Sequence, residues 1–443
     1  MTTAAALPRP SSLHDLIRIK ARRARGDDTA GMDLVDRSPL LPLGSLPRVI
    51  AAAPHRLLFF VGAANVLLAM AWWTLWLIDA RWTLIGLPEA PLFGGWAHAF
   101  VMQYQVLPPF IFGFLLTVFP RWMGLDELTR WHYLPVGLGL LSGQALFLVG
   151  LFGFPHLMHL GVINTFAGWV AGLIILLHLA WRDGGKTWHA ISCLAAMSLG
   201  LLGLALFAVF LHASDARLAF ASVKFGSFGL LLPIYVTVAH RMFPFFAANV
   251  VAGYRAWRPL GWLAAFWVLV VAHLALELAH AYTMLWIADL PLLALSGHWL
   301  WRTWPRASSP ALLRVLFAGY AWLPLSLALY ATQSLWFWLD GDFVLGRAPA
   351  HALFVGFFGS LLVAMVTRVT QGHSGRPLQL GRVAAFAFIA IQCVTGLRIA
   401  AELLPDAPAW QAFGAVGWLI AFLPWALRSG YIYLTPRADR KPG

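Results

Sequence analysis

The chain has 443 residues, 60% hydrophobic and only 11% charged, with 23 Trp and 31 Phe, a balance outside that of soluble globular domains, so lipid must solvate much of its surface. The net charge of +13 would suit a nucleic-acid partner, but the placement of the basic residues along the chain marks topology instead. There is no P-loop, no strand-borne G-x-G-x-x-G, no G-x-S-x-G and no H-E-x-x-H, which leaves nucleotide-driven transport and ordinary hydrolase chemistry without support.

In chain order, residues 1–56 form a basic arm without the apolar core of about 7–15 residues that a signal peptide carries. Within it, Leu13 to Arg25 reads either as a basic surface helix on anionic lipid or as a solvated tail. Twelve apolar stretches follow, at 57–78, 92–118, 132–153, 155–181, 189–212, 217–239, 259–280, 282–301, 311–338, 349–370, 380–402 and 408–430. Each is long enough to cross a bilayer at about 20 residues per span. The expected fold class is therefore all-α, a polytopic membrane bundle of about twelve transmembrane helices. One domain covers 57–430 and ends in a tail at 431–443. Of the 31 Lys and Arg, 26 fall in the arm, the tail and alternate connections. Only Arg81, Arg217, Arg347 and Arg398 fall on the opposite side, and Lys224 lies inside a span. The positive-inside rule then puts both termini in the cytoplasm. Cys193 and Cys393 sit in spans without a C-x-x-C-H context, which argues against disulfides and covalently attached haem; both are expected to be small buried residues.

Ionisable residues inside lipid cost roughly 2.5 kcal/mol or more each, so each requires a partner or a function. His98 in span 2, Lys224 in span 6, Asp289 in span 8 and His351 in span 10 all fall in the outer third. Span 7 adds His273, Glu277 and His280 at i, i+4, i+7, which places three potential ligands on one helical face. Imidazole and carboxylate suit copper, iron or zinc, with His156 and His159 of span 4 as neighbours. The plainer readings are interfacial hydrogen bonding for His156, His159, His212 and His280, and simple neutralisation of Glu277 or Asp289 by Lys224. His132, His178, His189, His240, His298 and His373 lie at the inner ends among arginines, where interfacial positions are expected. Pro108 and Pro109 predict a kink in span 2.

Three segments carry a family pattern. The longest joins His351-Ala352-Leu353 and Gly356 to Met365-Val366-Thr367-Arg368 and Gly372-His373-Ser374-Gly375-Arg376-Pro377-Leu378. The second is Ala239-His240-Arg241-Met242-Phe243-Pro244-Phe245-Phe246-Ala247-Ala248-Asn249, and the third is Trp96-Ala97-His98 followed by Gly113 to Thr117 and Pro120-Arg121-Trp122. Together they resemble the NnrS family, bacterial haem- and copper-containing membrane proteins linked to nitric oxide metabolism and nitrosative stress. The second segment matches a G-G-R-x-x-P-x-F-T-x-N pattern with both glycines and the Thr replaced. The third retains one histidine of an H-x-H-E-M motif and lacks its glutamate. The resemblance implies haem b, with copper at a second site. It also implies binding or reduction of nitric oxide in the bacterial inner membrane; whether the protein is an enzyme is left open, and with turnover it would be an oxidoreductase supplied by quinol. His98 and His351, at matching depth on different helices, are the expected axial ligands. Arg368, His373 and Arg376 lie some 25 Å below, at about 1.5 Å rise per residue, and cannot reach the same iron. A cofactor-free ion-coupled transporter using Lys224, Glu277 and Asp289, and a sensor or haem-handling protein without turnover, remain the competing readings.

The charge asymmetry is directly testable in a background without the native cysteines. Asp342→Cys should react with an impermeant maleimide in intact cells while Gly372→Cys should be protected; the opposite pattern inverts the topology.

Overall fold

A computed structural model describes residue 44 and residues 46–439. The stretch Leu13 to Arg25 and nearly all of the basic arm lie outside the described residues. Within them the chain forms twelve long helices and no strand. These are α1 (Pro54–Trp82), α2 (Gly94–Met123), α3 (Arg130–Gly150), α4 (Pro155–Arg182), α5 (Trp188–Ala213) and α6 (Ala216–Val250). The second half comprises α7 (Leu260–Leu278), α8 (Trp286–Thr303), α9 (Ala311–Asp340), α10 (Ala348–His373), α11 (Arg382–Ala400) and α12 (Ala407–Leu434). Eleven are long and apolar enough to span a membrane. The twelfth, α8, has 18 residues and carries Asp289 and Arg302. The chain is thus an all-α polytopic bundle, as expected, although α12 runs past 430 and α8 begins four residues later than predicted, after a short 3-10 turn at Tyr282–Met284.

Sequence punctuation sets the helix limits. Proline occupies the first turn of α1, α4, α10 and α12, where its missing N–H costs nothing. The Asp406 carboxylate accepts from Ala409 N and so caps α12, while also receiving a bidentate pair of bonds from Arg81 at 2.8 and 2.7 Å. The Arg81 guanidinium holds this carboxyl below the usual carboxylate range and ties the end of α1 to the start of α12.

The helices fall into three consecutive sets of four, and the sets close into a ring in which α4 packs on α5, α8 on α9 and α12 on α1. The second helix of each set, α2, α6 and α10, is central and more buried than any other span. Each of these three contains one π-helical stretch, at Val101–Val106, Phe225–Leu231 and Ala352–Gly359. The same three helices carry His98, Lys224 and His351, each immediately or three residues before its π stretch. At the opposite, arginine-rich end the central helices grip one another through cation–π contacts. Arg241 of α6 lies 4.3 Å over Trp122 of α2, and Arg368 of α10 lies 3.9 Å over Phe246 of α6.

Pro108 and Pro109 leave the carbonyls of Tyr104 and Gln105 without helical donors, since each proline lacks the N–H that would bond four residues back. Trp169 Nε1 donates to the Tyr104 carbonyl at 3.0 Å, and Asn65 Nδ2 donates to that of Gln105 at 2.8 Å. The predicted disturbance of α2 therefore takes the form of a π turn secured by α1 and α4. Gln144 of α3 and Thr165 of α4 extend the network through Asn65 O and Gln105 Nε2. One expectation fails here: Cys193 is buried, but Cys393 is exposed on the outside of α11, a face that lipid tolerates as readily as the core.

Glycine permits the close approach of α3 and α4. A Cβ on Gly161 would sit 2.5 Å from Phe147 N and 2.7 Å from Gly143 O, far inside contact distance, so these backbones touch without side chains between them. Gly161→Val should cost on the order of 1–3 kcal/mol through overpacking, read as a lowered melting temperature in detergent. Gly261→Ala, which meets nothing within 4 Å, should leave melting unchanged.

Candidate functional site

Two polar clusters occupy the end of the bundle opposite the arginine-rich one. The first joins α6, α7 and α8. Lys224 Nζ donates to Glu277 Oε1 at 2.8 Å, and that oxygen lies 3.7 Å from His273 Nε2. His273 Nδ1 and Asp289 Oδ1 are 2.6 Å apart. His273 and Asp289 are fully buried and Glu277 is 2% exposed, while the Lys224 side chain keeps 20% exposure. Phe228 of the α6 π stretch packs on the His273 ring at 3.9 Å, and Tyr330 of α9 meets it edge-on at 5.5 Å. The expected layer of Lys224, Glu277 and Asp289 is thus one chain of contacts, with His273 as its middle member. Lys224 pairs with Glu277, whereas Asp289 pairs with the imidazole.

The wider ligand set expected around span 7 does not form. α7 ends at Leu278, and His280 follows in a left-handed turn (φ 54°), so its ring leaves the face shared by His273 and Glu277. It bonds to Tyr282 Oη at 2.8 Å and packs on Phe220. His156 is exposed at the start of α4, and His159 stacks on His212 of α5 at 4.8 Å. Among the described residues no three His, Cys, Asp or Glu side chains are arranged to hold a metal ion.

The second cluster joins α2, α10 and α11. His98 stacks on Trp73 at 4.1 Å, and Trp73 stacks on Trp76 at 5.0 Å, a flat column that fixes the imidazole plane. His351 Nδ1 donates to the Arg347 carbonyl at 2.9 Å, which leaves Nε2 as the acceptor; Arg398 Nη2 donates to it at 2.8 Å. Glu402 holds Arg398 at 3.3 Å and Arg347 at 3.6 Å. Both rings are half-buried.

At the other end, the longest family-pattern segment and the residues beside it bond across to α12 and the stretch that follows it. The carbonyl oxygen of Ser374 accepts from Ala438 N at 2.9 Å, and Thr367 and Thr370 bond to Trp425 and Tyr433 of α12 at 2.9 and 2.6 Å. Arg376 reaches Thr435, Pro244 lies inside α6 and Asn249 is exposed near its end. Two inner histidines expected at the interface are instead buried partners: His189 Nε2 and His240 Nδ1 are 3.0 Å apart, and His240 stacks on Trp262. His373 stacks on His55 at 4.3 Å in a polar cavity of about 230 Å³ that Arg56, Arg121 and Arg437 also line. Nothing in the sequence singles out His55, which lies just before an apolar run; its contact with His373 comes from the approach of α1 to the end of α10. An apolar cleft between α2, α6 and α10, lined by Phe110, Tyr235 and Met365 among others, lies nearer this end than the His98 and His351 rings.

Fold and site together define a polytopic membrane protein whose central helices present imidazole and ammonium groups near one end, the ammonium meeting a buried carboxylate of α7. The chain belongs to the NnrS family: the family model, described as NnrS protein, matches residues 49–437. No curated protein matches the chain.

The ion chain should behave as a unit. Lys224→Met, which strands Glu277 in the bundle, should cost on the order of 3 kcal/mol, measured by thermal unfolding. The double variant Lys224→Met/Glu277→Gln should recover part of that loss, giving a clear coupling energy. Two silent single variants would mean that the pair contributes nothing.

Proposed function

We propose that this chain is a haem b protein of the bacterial inner membrane that binds nitric oxide, with His98 and His351 as the axial ligands. The observation that carries the reading is the pair of half-buried imidazoles at the same end of the central helices α2 and α10, each held in place by its neighbours, in a chain of the NnrS family.

The donor set fits the cofactor. His351 enters with its tautomer set by the Arg347 carbonyl, which directs the Nε2 lone pair away from the backbone, the arrangement in which a ligating histidine is oriented by its second nitrogen. His98 is held in plane by Trp73 and Trp76. Arg398 now occupies the His351 lone pair, and ligation would free its guanidinium. Arg347 and Arg398 supply positive charge suited to the carboxylates of a porphyrin. When bound, haem would supply an iron centre that accepts electrons and, once one of the two imidazoles gives way, could take nitric oxide in its place. The surrounding aromatic side chains exclude water and favour a small, nearly apolar diatomic ligand. Quinol as the electron donor belongs to the same proposal, and turnover would be read from nitric oxide consumption with quinol supplied.

The buried ion chain of Lys224, Glu277, His273 and Asp289 favours a second reading, an ion-coupled transporter without cofactor. An absorption spectrum separates the two, since a transporter shows neither a Soret band nor stoichiometric iron. For the haem reading, His98→Ala and His351→Ala should each lose haem or change a six-coordinate low-spin spectrum to five-coordinate high-spin. His273→Ala should leave that spectrum intact. Retention of the full wild-type spectrum by both α2 and α10 variants, with bleaching by His273→Ala, would move the haem to the other cluster.

A further inference from the structure

The family reading brings copper as well as haem, and among the described residues the outer cluster around His273 is the candidate place for a second metal. Their geometry resembles a metal site in one respect. Asp289 binds His273 Nδ1 and so aims Nε2 at Glu277, the carboxylate–histidine arrangement that orients imidazole toward zinc or copper. His273 Nε2 and Glu277 Oε2 are both buried without a hydrogen-bond partner, and such atoms call for an ion, a proton or water.

The cation already present is the Lys224 ammonium, 2.8 Å from Glu277 Oε1. Charge counting decides what else fits. Two carboxylates and one ammonium leave a deficit of one positive charge. A proton on His273 closes it, while zinc or cupric copper beside Lys224 overshoots by one; a cuprous ion would balance the charge, but that soft ion is selected by sulfur ligands, which the cluster lacks. Moving Lys224 aside for a metal would strand an ammonium among helices, at a cost of several kcal/mol. The ammonium also approaches the Phe220 ring at 5.2 Å, so aromatic contact holds it in place as well.

We propose that the cluster of Lys224, Glu277, His273 and Asp289 is a metal-free site, in which the lysine ammonium and a proton on His273 supply the positive charge that copper would supply. The chain then carries haem iron and no second metal. Lys224 is a positioning residue that fixes Glu277, and it blocks the one direction from which a third ligand on α6 would complete a metal site. Replacing it by an imidazole restores that ligand: His273, Glu277 and the new side chain give three donors from α6 and α7, enough for a zinc or copper ion with one open position.

The test is metal analysis of detergent-purified protein after incubation with copper or zinc and desalting, paired with thermal melting. Wild type should hold no stoichiometric copper or zinc, and its melting temperature should not respond to either ion. Lys224→His should retain about one ion per chain and melt higher with metal added, because a ligand that binds only the folded state stabilises it. Lys224→His/His273→Ala should lose both effects. A wild-type protein that holds one copper per chain, released by His273→Ala, would overturn the proposal. So would a folded Lys224→His variant that takes up no metal. If that variant does not fold, wild-type metal content decides alone, with full copper against the proposal and none for it. The haem reading is tested separately, because iron content and the Soret band report on haem, whereas copper and zinc content report on the second metal.

Discussion

A helix in lipid has no water to receive a carbonyl that its own backbone cannot bond, and α2 carries two such carbonyls because Pro108 and Pro109 follow Tyr104 and Gln105. Their partners, Trp169 and Asn65, come from α4 and α1. Each bond is worth about 1 kcal/mol net, but an unmet carbonyl there would cost more than that, so α1, α2 and α4 must assemble in one register. That register also delivers Trp73 to His98. The position of the outer imidazole therefore depends on a proline pair two to three turns away.

The three four-helix sets solve the problem of buried polarity differently. In α1 to α4 the interior network is neutral, made of Asn65, Gln105, Gln144 and Thr165. The second set holds the lysine, two carboxylates and an imidazole in sequence. At the outer end of the third, His351, Arg398 and Glu402 form a chain that runs toward the connection before α12. Neutral amides can satisfy themselves with short-range bonds, whereas charges need partners of opposite sign. That difference gathers Lys224, Glu277, His273 and Asp289 in one chain of contacts and His351, Arg398 and Glu402 in another.

Much of this was legible in the sequence. Hydropathy marks all twelve helices because a spanning segment cannot hide its composition, and the depth of Lys224, Glu277 and Asp289 follows from counting residues from the ends. What counting cannot supply is rotation about the helix axis. His273 and His280 share a face only if the helix continues, and α7 stops at Leu278. The pairing of His189 with His240, and of His55 with His373, depends on which helices are neighbours across the bundle, a relation that hydropathy does not encode. Arg398 was assigned to topology alone, since a basic residue near a span end has the same composition whether it faces headgroups or an imidazole.

The π turns in α2, α6 and α10 have a consequence for inheritance. A π turn amounts to one residue inserted into an α-helix, and one residue corresponds to about 100° of rotation. Each central helix is therefore two helical segments with separate phases joined end to end. Substitutions that retune the segment bearing His98, Lys224 or His351 leave the rotation of the arginine-bearing segment untouched. The two ends of the molecule can then diverge at different rates, and a deletion of a single residue within Val101–Val106, Phe225–Leu231 or Ala352–Gly359 would be the mutation that couples them again.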